Sequence, residues 1–443
     1  IINFFKKNKI NFKIWDDNEN VRRNFYNILK KDIFLKPNIK NLKKCKNIFV
    51  SPGISIRKKK FEIIKQNVSV KRDLNLYLDQ AKNVIIIAIT GTNGKSTTTK
   101  LVGEMLKKEN KTFIGGNIGR PLCDSLSNNV NYKYHVVELS SFQLETVKYI
   151  KSHISIIINL SSDHQDRYNN LGDYVNQKKN ILTKDGFNLI SLDDKYSKKI
   201  FFKKDNFKKI SFSLLNPSAD FYLEKNKIFD NYFYDNKSFS LKKISSDLSE
   251  HYNKQNILVS YICSKILDIK RKYLYEKIYS YKSLPYRSKI VYEDHKIIII
   301  NNSKSTNLNS TINSLINYRN VFLIIGGIAK ENGFKILSRY ISNLKYVYIY
   351  GKSAKKINQE LKNKINTKIY KNLKLSTIEA VNDAKKYKGK STILFAPACS
   401  SYDQFKNFEE RGKCFNKIIK KIMNAKWKIY KIGGLILISL ILL

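Results

Sequence analysis

A strand running straight into a glycine turn and then a helix constrains the fold of this chain more than any other feature. Residues 84–89 are aliphatic, Thr90-Gly-Thr-Asn-Gly-Lys-Ser-Thr97 follows, and 100–107 carries a helical pattern. In such a unit the backbone N–H groups of the turn and the helix N-terminus can cradle phosphate oxygens. Gly91, Thr92, Asn93, Gly94, Lys95, Ser96 and Thr97 are therefore candidate triphosphate contacts. Lys95 would reach the β- and γ-phosphates and the Ser96 hydroxyl would hold Mg²⁺. The G-x-x-x-x-G-K-[ST] spacing is met except at its first position, where Ile89 stands. A lysine in a turn is often merely solvated, but this strand and this helix favour the phosphate reading.

The glycines stand out because they are scarce: 17 in 443 residues, beside 6 Pro and 2 Trp. Six of them fall between 91 and 119, and three more stand at 326, 327 and 333. They mark backbone geometry that other residues supply poorly. Lys, Asn, Ile, Phe and Tyr, which A/T-rich codons encode, abound instead. The formal charge of +47 has that origin too, because the lysines lie along the whole chain and not in one stripe. A nucleic-acid footprint should be localised. A basic nucleic-acid-binding P-loop protein stays open as an alternative, with no such patch to carry it. Hydrophobic residues at 42% exclude wholesale disorder. Five Cys without a C-x-x-C pair exclude a disulfide framework or structural zinc site and fit a reducing, cytoplasmic compartment. Length alone suggests about three domains.

Apolar, β-branched runs alternate with amphipathic stretches, which predicts an α/β fold with mainly parallel sheets. Strands are expected at 48–50, 84–89, 134–139, 154–160, 297–300, 321–325, 347–350 and 392–395, with another at 11–16. The segment 185–250 is more polar and reads as smaller strands or an excursion from the central sheet. Polar residues just past parallel strand ends collect at one crevice. Glu138, in Glu138-Leu-Ser-Ser-Phe-Gln-Leu-Glu145, and His164, in Ser161-Ser-Asp-His-Gln-Asp-Arg-Tyr168, both follow such strands. A carboxylate and an imidazole there can complete Mg²⁺ coordination. Gly115-Gly-Asn-Ile-Gly-Arg-Pro121, Asn301-Asn-Ser-Lys-Ser-Thr-Asn307, Gly326-Gly-Ile-Ala-Lys330 and Pro397-Ala-Cys-Ser-Ser-Tyr-Asp-Gln-Phe-Lys-Asn-Phe-Glu-Glu-Arg-Gly412 are further polar loops after strands.

In their order and approximate spacing these segments resemble the Mur ligase family of ATP-dependent amide ligases, over residues ~10 to ~420. Two of them, ELSSFQLE and DQFKNFEERG, resemble the member that adds D-glutamate to UDP-N-acetylmuramoyl-L-alanine. The resemblance implies three domains. These are a Rossmann-like uridine-nucleotide domain (1–73), a central P-loop-type ATPase domain (74–283) and a C-terminal Rossmann-like domain (284–426), followed by an apolar tail (427–443). It implies ATP and Mg²⁺ as cofactors, with two metal sites, and a monomer without a nucleic-acid partner. Residue by residue, Lys95 and Ser96 would serve ATP and Mg²⁺, Glu138 the first metal and His164 the second. Lys178, next to Lys179, would be the lysine that the family carbamylates, the register being open by one. Asp16, Gly53 and Asn117 match uridine-nucleotide contacts, with His164 also on the substrate. Asn253, Asn256, Arg287, Asn302, Lys304, Thr306 and Asn307 match the ATP edge, and Lys330, Ser401 and Phe408 the D-glutamate site. The family usually has Asp at Asn302 and His at Tyr286, and Tyr252 separates its usual His-Asn pair.

The opening residues look like a βα unit cut before its first strand and glycine turn. The last 12 residues are uncharged and mostly aliphatic, about half the length of a spanning helix. Any membrane contact is expected there alone. A degenerate ligase kept as a scaffold is the other open alternative.

Overall fold

A computed structural model of the chain describes residues 1–441 apart from 27–28, 30–32, 128–129, 166, 234, 242 and 331. Side chains are described outside 127, 235–237 and 425–441. There are two compact units, residues 1–160 with 169–281 and residues 161–168 with 282–443.

The first unit begins with a small parallel pair, β1 (Asn47–Phe49) and β2 (Ser69–Lys71), over a core of Leu42, Val50, Ile56, Phe61 and Ile64. Its main sheet contains β3 (Ile85–Thr90), β4 (Thr112–Gly116), β5 (Tyr134–Glu138), β6 (Ile154–Ile157), β7 (Phe187–Ser191) and β8 (Lys209–Ser213). It continues through β9 (Phe221–Glu224), β10 (Lys227–Asp230) and β11 (Asp235–Ser240) in the order β11-β10-β9-β8-β7-β6-β3-β5-β4. The β3–β9 pairings are parallel; β9-β10-β11 turn antiparallel. β3 is buried over five of its six residues, as an interior parallel strand covered on both faces must be. Helix Lys95–Leu106 covers one face through Leu101, Val102, Met105 and Leu106, against helices Asn253–Ile266 and Arg271–Ser280.

For residues 185–250, the first of the two readings holds: smaller strands, which extend the central sheet to its edge. The strand expected at 11–16 is corrected. Residues 11–16 form no strand; Ile14 makes one isolated bridge to Phe34. None of the six is buried, so no covered face holds a register there.

His135 on β5 is buried, with Nδ1 2.8 Å from the Tyr77 hydroxyl and the Phe113 ring 5.3 Å away. Burial pushes its pKa down to about 4. Between that value and the ordinary 6.5, the unfolded chain binds a proton that the native one refuses. The stabilisation is therefore full above pH 6.5 and lost as pH falls toward 4, by up to about 3 kcal/mol. Denaturant unfolding at pH 7 and 4.5 should show a pH dependence that His135→Phe flattens in that window. An unchanged slope would contradict this assignment.

The second unit is a six-stranded sheet of β12 (Lys289–Glu293), β13 (Ile297–Asn301), β14 (Val321–Gly326), β15 (Leu344–Tyr350), β16 (Thr367–Tyr370) and β17 (Ser391–Phe395). The order is β12-β13-β17-β14-β15-β16, parallel except for β12 with β13. Leu308, Ile312, Leu337 and Ile357 pack on one face, and Leu373, Val381, Phe415 and Ile419 on the other. The last helix runs Phe408–Ile441. The apolar tail falls on side chains outside the described set, and residues 442–443 lie outside it altogether. No described helix is long and apolar enough to cross a membrane.

Candidate functional site

In the first unit the glycine turn joins β3 to helix Lys95–Leu106, which starts five residues earlier than its pattern suggests. Gly94 is the N-cap at φ 84°, and a Cβ there would lie 2.6 Å from Asn256 Oδ1. Glycine suits this left-handed backbone and leaves room for the Asn256 side chain. Asn256 Oδ1 accepts from Thr98 Oγ1 at 3.0 Å and its Nδ2 donates to Asn253 Oδ1 at 2.9 Å. The two predicted asparagines thus brace the turn from behind.

The other brace is Asn159, just past β6, which sequence reasoning missed. Its backbone carbonyl accepts from Thr92 N at 2.8 Å and its Oδ1 from Asn93 N at 2.9 Å, while its Nδ2 donates to Asn93 O at 3.2 Å. A polar residue closing a strand beside a quoted motif was the available signal.

Two ammonium groups meet on one carbonyl. Lys95 Nζ donates to Gly91 O at 2.7 Å and to Thr92 O at 2.9 Å. Lys178 Nζ, buried, donates to the same Gly91 O at 2.8 Å and to Thr90 Oγ1 at 3.2 Å. This concentrates positive charge where an anion's phosphates would sit. Of the two neighbouring lysines, it is Lys178 whose side chain faces the turn. Lys179 stands near Lys203, and burial and that like charge push its pKa down.

Glu138 ends β5, flanked in the sheet by Ile89 and Gly116. Gly116 takes φ 107°, and a Cβ on it would strike the Glu138 carbonyl at 2.3 Å, so glycine is needed for the close turn. Asn117 then grips both ends of Glu138: its N donates to Glu138 O at 2.9 Å and its Nδ2 to Oε1 at 2.8 Å. Glu138 Oε2 is buried with no hydrogen-bond partner among the described residues. A buried carboxylate oxygen without a donor is costly unless a cation meets it. With the buried Ser96 hydroxyl one strand away, the donor set is oxygen only and suits Mg²⁺.

Gly53 lies in a turn held by a residue the sequence did not single out. The Arg72 guanidinium, 0% exposed, donates to Val50 O at 3.2 Å, Ser51 O at 2.5 Å and Ile54 O at 3.1 Å. It also pairs with Glu145 at 2.6 Å. Asp16 is exposed; its carboxylate accepts from Asn18 N and its carbonyl from Arg22 Nη1.

In the second unit, residues 161–168 bring His164 together with part of the later set. The organising group is Asp163, unassigned from sequence. Its Oδ2 accepts from Asn307 Nδ2 at 3.2 Å and its Oδ1 lies 3.4 Å from Lys330 Nζ. His164 Nε2 stands 3.8 Å from Asp163 Oδ2. Lys304 Nζ sits 4.1 Å over the Phe408 ring. Ser401 is buried in the loop after β17, which a bridge between Ser400 and Ile328 ties to the segment carrying Lys330. Asn302 points inward, donating to Ser314 Oγ at 2.6 Å. Thr306 is half-buried in the loop after β13, and Arg287 is half-buried just before β12. Arg411, 0% exposed, joins Ser303 O at 2.7 Å and Cys399 O at 3.0 Å, fixing two of those loops.

Residues 89–264 match the family model described as the Mur ligase middle domain. A curated UDP-N-acetylmuramoylalanine–D-glutamate ligase from Rickettsia prowazekii is 34% identical over 429 residues, covering 94% of each chain. One from Buchnera aphidicola subsp. Schizaphis graminum is 36% identical over 434 residues, covering 95% of each. Among solved structures, a pseudomurein peptide ligase type C from Methanothermus fervidus superposes with a TM-score of 0.60 at 17% identity, over 95% of this chain and 96% of that one. A MurF ligase from Thermotoga maritima in complex with ADP gives 0.59 at 14% identity, over 87% and 97%. These solved structures are similar in fold.

Proposed function

The chain belongs to the Mur ligase family, and from that premise we propose that it uses ATP to join D-glutamate to UDP-N-acetylmuramoyl-L-alanine. The observation that carries the reading is the phosphate turn with Lys95 on Gly91 and Thr92, and beside it the Glu138 oxygen without a donor among the described residues.

A carboxylate is a poor electrophile. Transfer of the γ-phosphoryl group from ATP to an oxygen of the L-alanyl carboxylate releases ADP and leaves an acyl phosphate. The D-glutamate amine then attacks the acyl carbon, the C–O bond to phosphate breaks, phosphate departs and the amine loses its proton. There is little covalent work for the protein, so positioning and charge neutralisation dominate. Lys95 and the turn amides would neutralise and orient the phosphates, and Asn159 and Asn256 keep the turn in shape for them. Ser96 and Glu138 would hold Mg²⁺, which supplies further neutralisation at the phosphoryl oxygens. His164 in the second unit and Lys178 in the first are each kept as metal ligands, Lys178 in a carbamylated form that would exchange its ammonium on Gly91 for carbamate oxygens. Gly53 and Asn117 are assigned to the uridine nucleotide with Asp16, and Lys330, Ser401 and Phe408 to D-glutamate. Asn253, Arg287, Asn302, Lys304, Thr306 and Asn307 are kept for ATP. The divisions 1–73, 74–283 and 284–426 remain our domain bounds. A cytoplasmic location fits a reaction that consumes ATP and a chain whose five cysteines are all free thiols, and a monomer remains our assignment.

ADP release should require both UDP-N-acetylmuramoyl-L-alanine and D-glutamate. ATP hydrolysis that is indifferent to both but stimulated by nucleic acid would overturn the proposal.

A further inference from the structure

Two side-chain amides in series connect the phosphate turn to a carboxylate at the end of β7. Asn159 Oδ1 accepts from Asn93 N at 2.9 Å, while its Nδ2 donates to Asn93 O and to Gln255 Oε1, both at 3.2 Å. Gln255 lies in helix Asn253–Ile266 and is 8% exposed. Its Nε2 points the other way, donating to Ser191 Oγ at 2.9 Å and to Asp193 Oδ2 at 3.0 Å. Asp193 is itself fixed from the end of β8, its Oδ1 accepting from Ser213 Oγ and, at 3.1 Å, from Leu214 N. Asp194 beside it accepts from Leu160 N at 3.0 Å, which anchors the backbone next to Asn159. No hydrogen bond joins Asn159 to Asp193 directly; each bonds Gln255.

We propose that Asp193 and Gln255 are positioning residues for ATP, forming a relay that dictates which way the Asn159 amide faces the phosphate turn. The proposal rests on the functional reading above, which places ATP at this turn. A carboxylate can only accept, so Gln255 must present its NH₂ group to Asp193 and its carbonyl oxygen to Asn159. Asn159 must then present its own NH₂ to Gln255, which leaves Oδ1 for the Asn93 N–H. That N–H is a backbone donor and cannot be reversed. Turning either amide over would set donor against donor at one junction and acceptor against acceptor at the other. The Ser191 hydroxyl can give or accept, so it does not choose between the two orientations; Asp193 does. The result is felt on both peptides flanking Asn93, two residues before helix Lys95–Leu106 begins. Their directions are set before ATP arrives, as a preorganised phosphate site requires.

The test is ATP affinity by calorimetry in Mg²⁺, beside steady-state kinetics and Tm, on the full chain with Asp193→Asn, Asn159→Asp, Gln255→Leu and their combinations. In Asp193→Asn, Ser213 Oγ and Leu214 N keep the amide oxygen, so the new NH₂ meets the NH₂ of Gln255. In Asn159→Asp, a carboxylate oxygen meets Gln255 Oε1. Each single change should weaken ATP binding about five- to tenfold, the scale of one misdirected buried hydrogen bond. KM for UDP-N-acetylmuramoyl-L-alanine and for D-glutamate should stay within about twofold. The double variant Asn159→Asp/Asp193→Asn keeps the net charge and lets Gln255 turn over, giving to position 159 and accepting from position 193. It should bind ATP at least about threefold more tightly than Asn159→Asp alone, a coupling between two residues that do not touch. Placing Gln255→Leu between them should abolish that coupling and shrink the penalty of Asn159→Asp, an arm that holds even where Asp193→Asn does not fold. ATP affinity unchanged in Asp193→Asn, additive losses in the double variant, or an equal Asn159→Asp penalty with and without Gln255 would overturn the relay and leave packing. A wild-type chain that binds ATP without substrate-dependent ADP release would overturn the ligase reading alone, because the relay is read from ATP affinity; a chain that does not bind ATP would overturn both.

Discussion

Glu138→Gln should lower kcat at least about 100-fold without destabilising the protein, the scale seen when a preorganised charge or its support is removed from an active site. Both halves follow from one geometry. Glutamine keeps the volume and can still accept from Asn117 Nδ2, so the turn at 115–117 keeps its hold on β5. What is lost is the negative charge on a carboxylate that is 1% exposed and has one oxygen without a donor. Without metal that charge is a burden to the fold, because a buried anion is costly unless paired. The variant should therefore unfold at the same or higher denaturant concentration than wild type in EDTA. In Mg²⁺ the order should reverse: wild type gains from the bound ion and the variant does not. Melting curves with EDTA and with Mg²⁺, beside ADP release, separate the two effects. Equal Mg²⁺ stabilisation of both proteins would remove Glu138 from the metal site, and near-wild-type turnover would remove it from the chemistry.

The parts of the site legible in the sequence are those where a local pattern carries the geometry. The phosphate turn needs an aliphatic strand, glycines with unusual backbone and a helix start within some 15 residues, and all three are contiguous here. Glu138 and Lys330 sit at strand or loop positions that quoted segments already marked. Lys178 and Lys179 are chemically identical neighbours, and only the rotation of helix Leu171–Lys179 sends one to Gly91 and the other toward Lys203. Arg72 and Arg411 were hidden for a different reason. In a chain with 83 Lys+Arg, two more cations carry no signal, and what distinguishes them is complete burial. Burial is decided by segments far away in sequence, such as Val50–Ile54 for Arg72 and Cys399 for Arg411. Asp163 was overshadowed by the histidine beside it, although its carboxylate is the group that joins Asn307 and Lys330. The expected strand at 11–16 failed on the same principle: its alternation is real but no layer covers it, and an uncovered face does not define a strand.

Arg72→Met should destabilise the first unit by about 3–5 kcal/mol, the usual result of breaking a buried ion pair by removing one partner. Methionine fills much of the space but leaves the Glu145 carboxylate, 2% exposed, without its cation. The carbonyls of Val50, Ser51 and Ile54 lose the guanidinium at the same time, Ser51 O keeping its bond from Ile54 N at 2.9 Å. Glu145→Gln should cost less, because the guanidinium keeps its carbonyl partners and glutamine can still accept from it. The double variant Arg72→Met/Glu145→Leu removes both charges and should regain part of the loss. It should not reach wild type, since nothing replaces the three hydrogen bonds from the guanidinium to the Val50, Ser51 and Ile54 carbonyls. For a unit of this size the single change corresponds to a Tm drop on the order of 10 °C. The ordering of the three variants is the decisive measurement. If Arg72→Met melts within about 2 °C of wild type, a shift worth under about 1 kcal/mol, the guanidinium does not hold the turn. If the double variant is worse than Arg72→Met alone, the loss comes from packing and not from an orphaned charge. With the expected order, the turn carrying Gly53 owes its shape to one arginine, and Arg72→Met should also raise KM for the nucleotide sugar before it affects ATP.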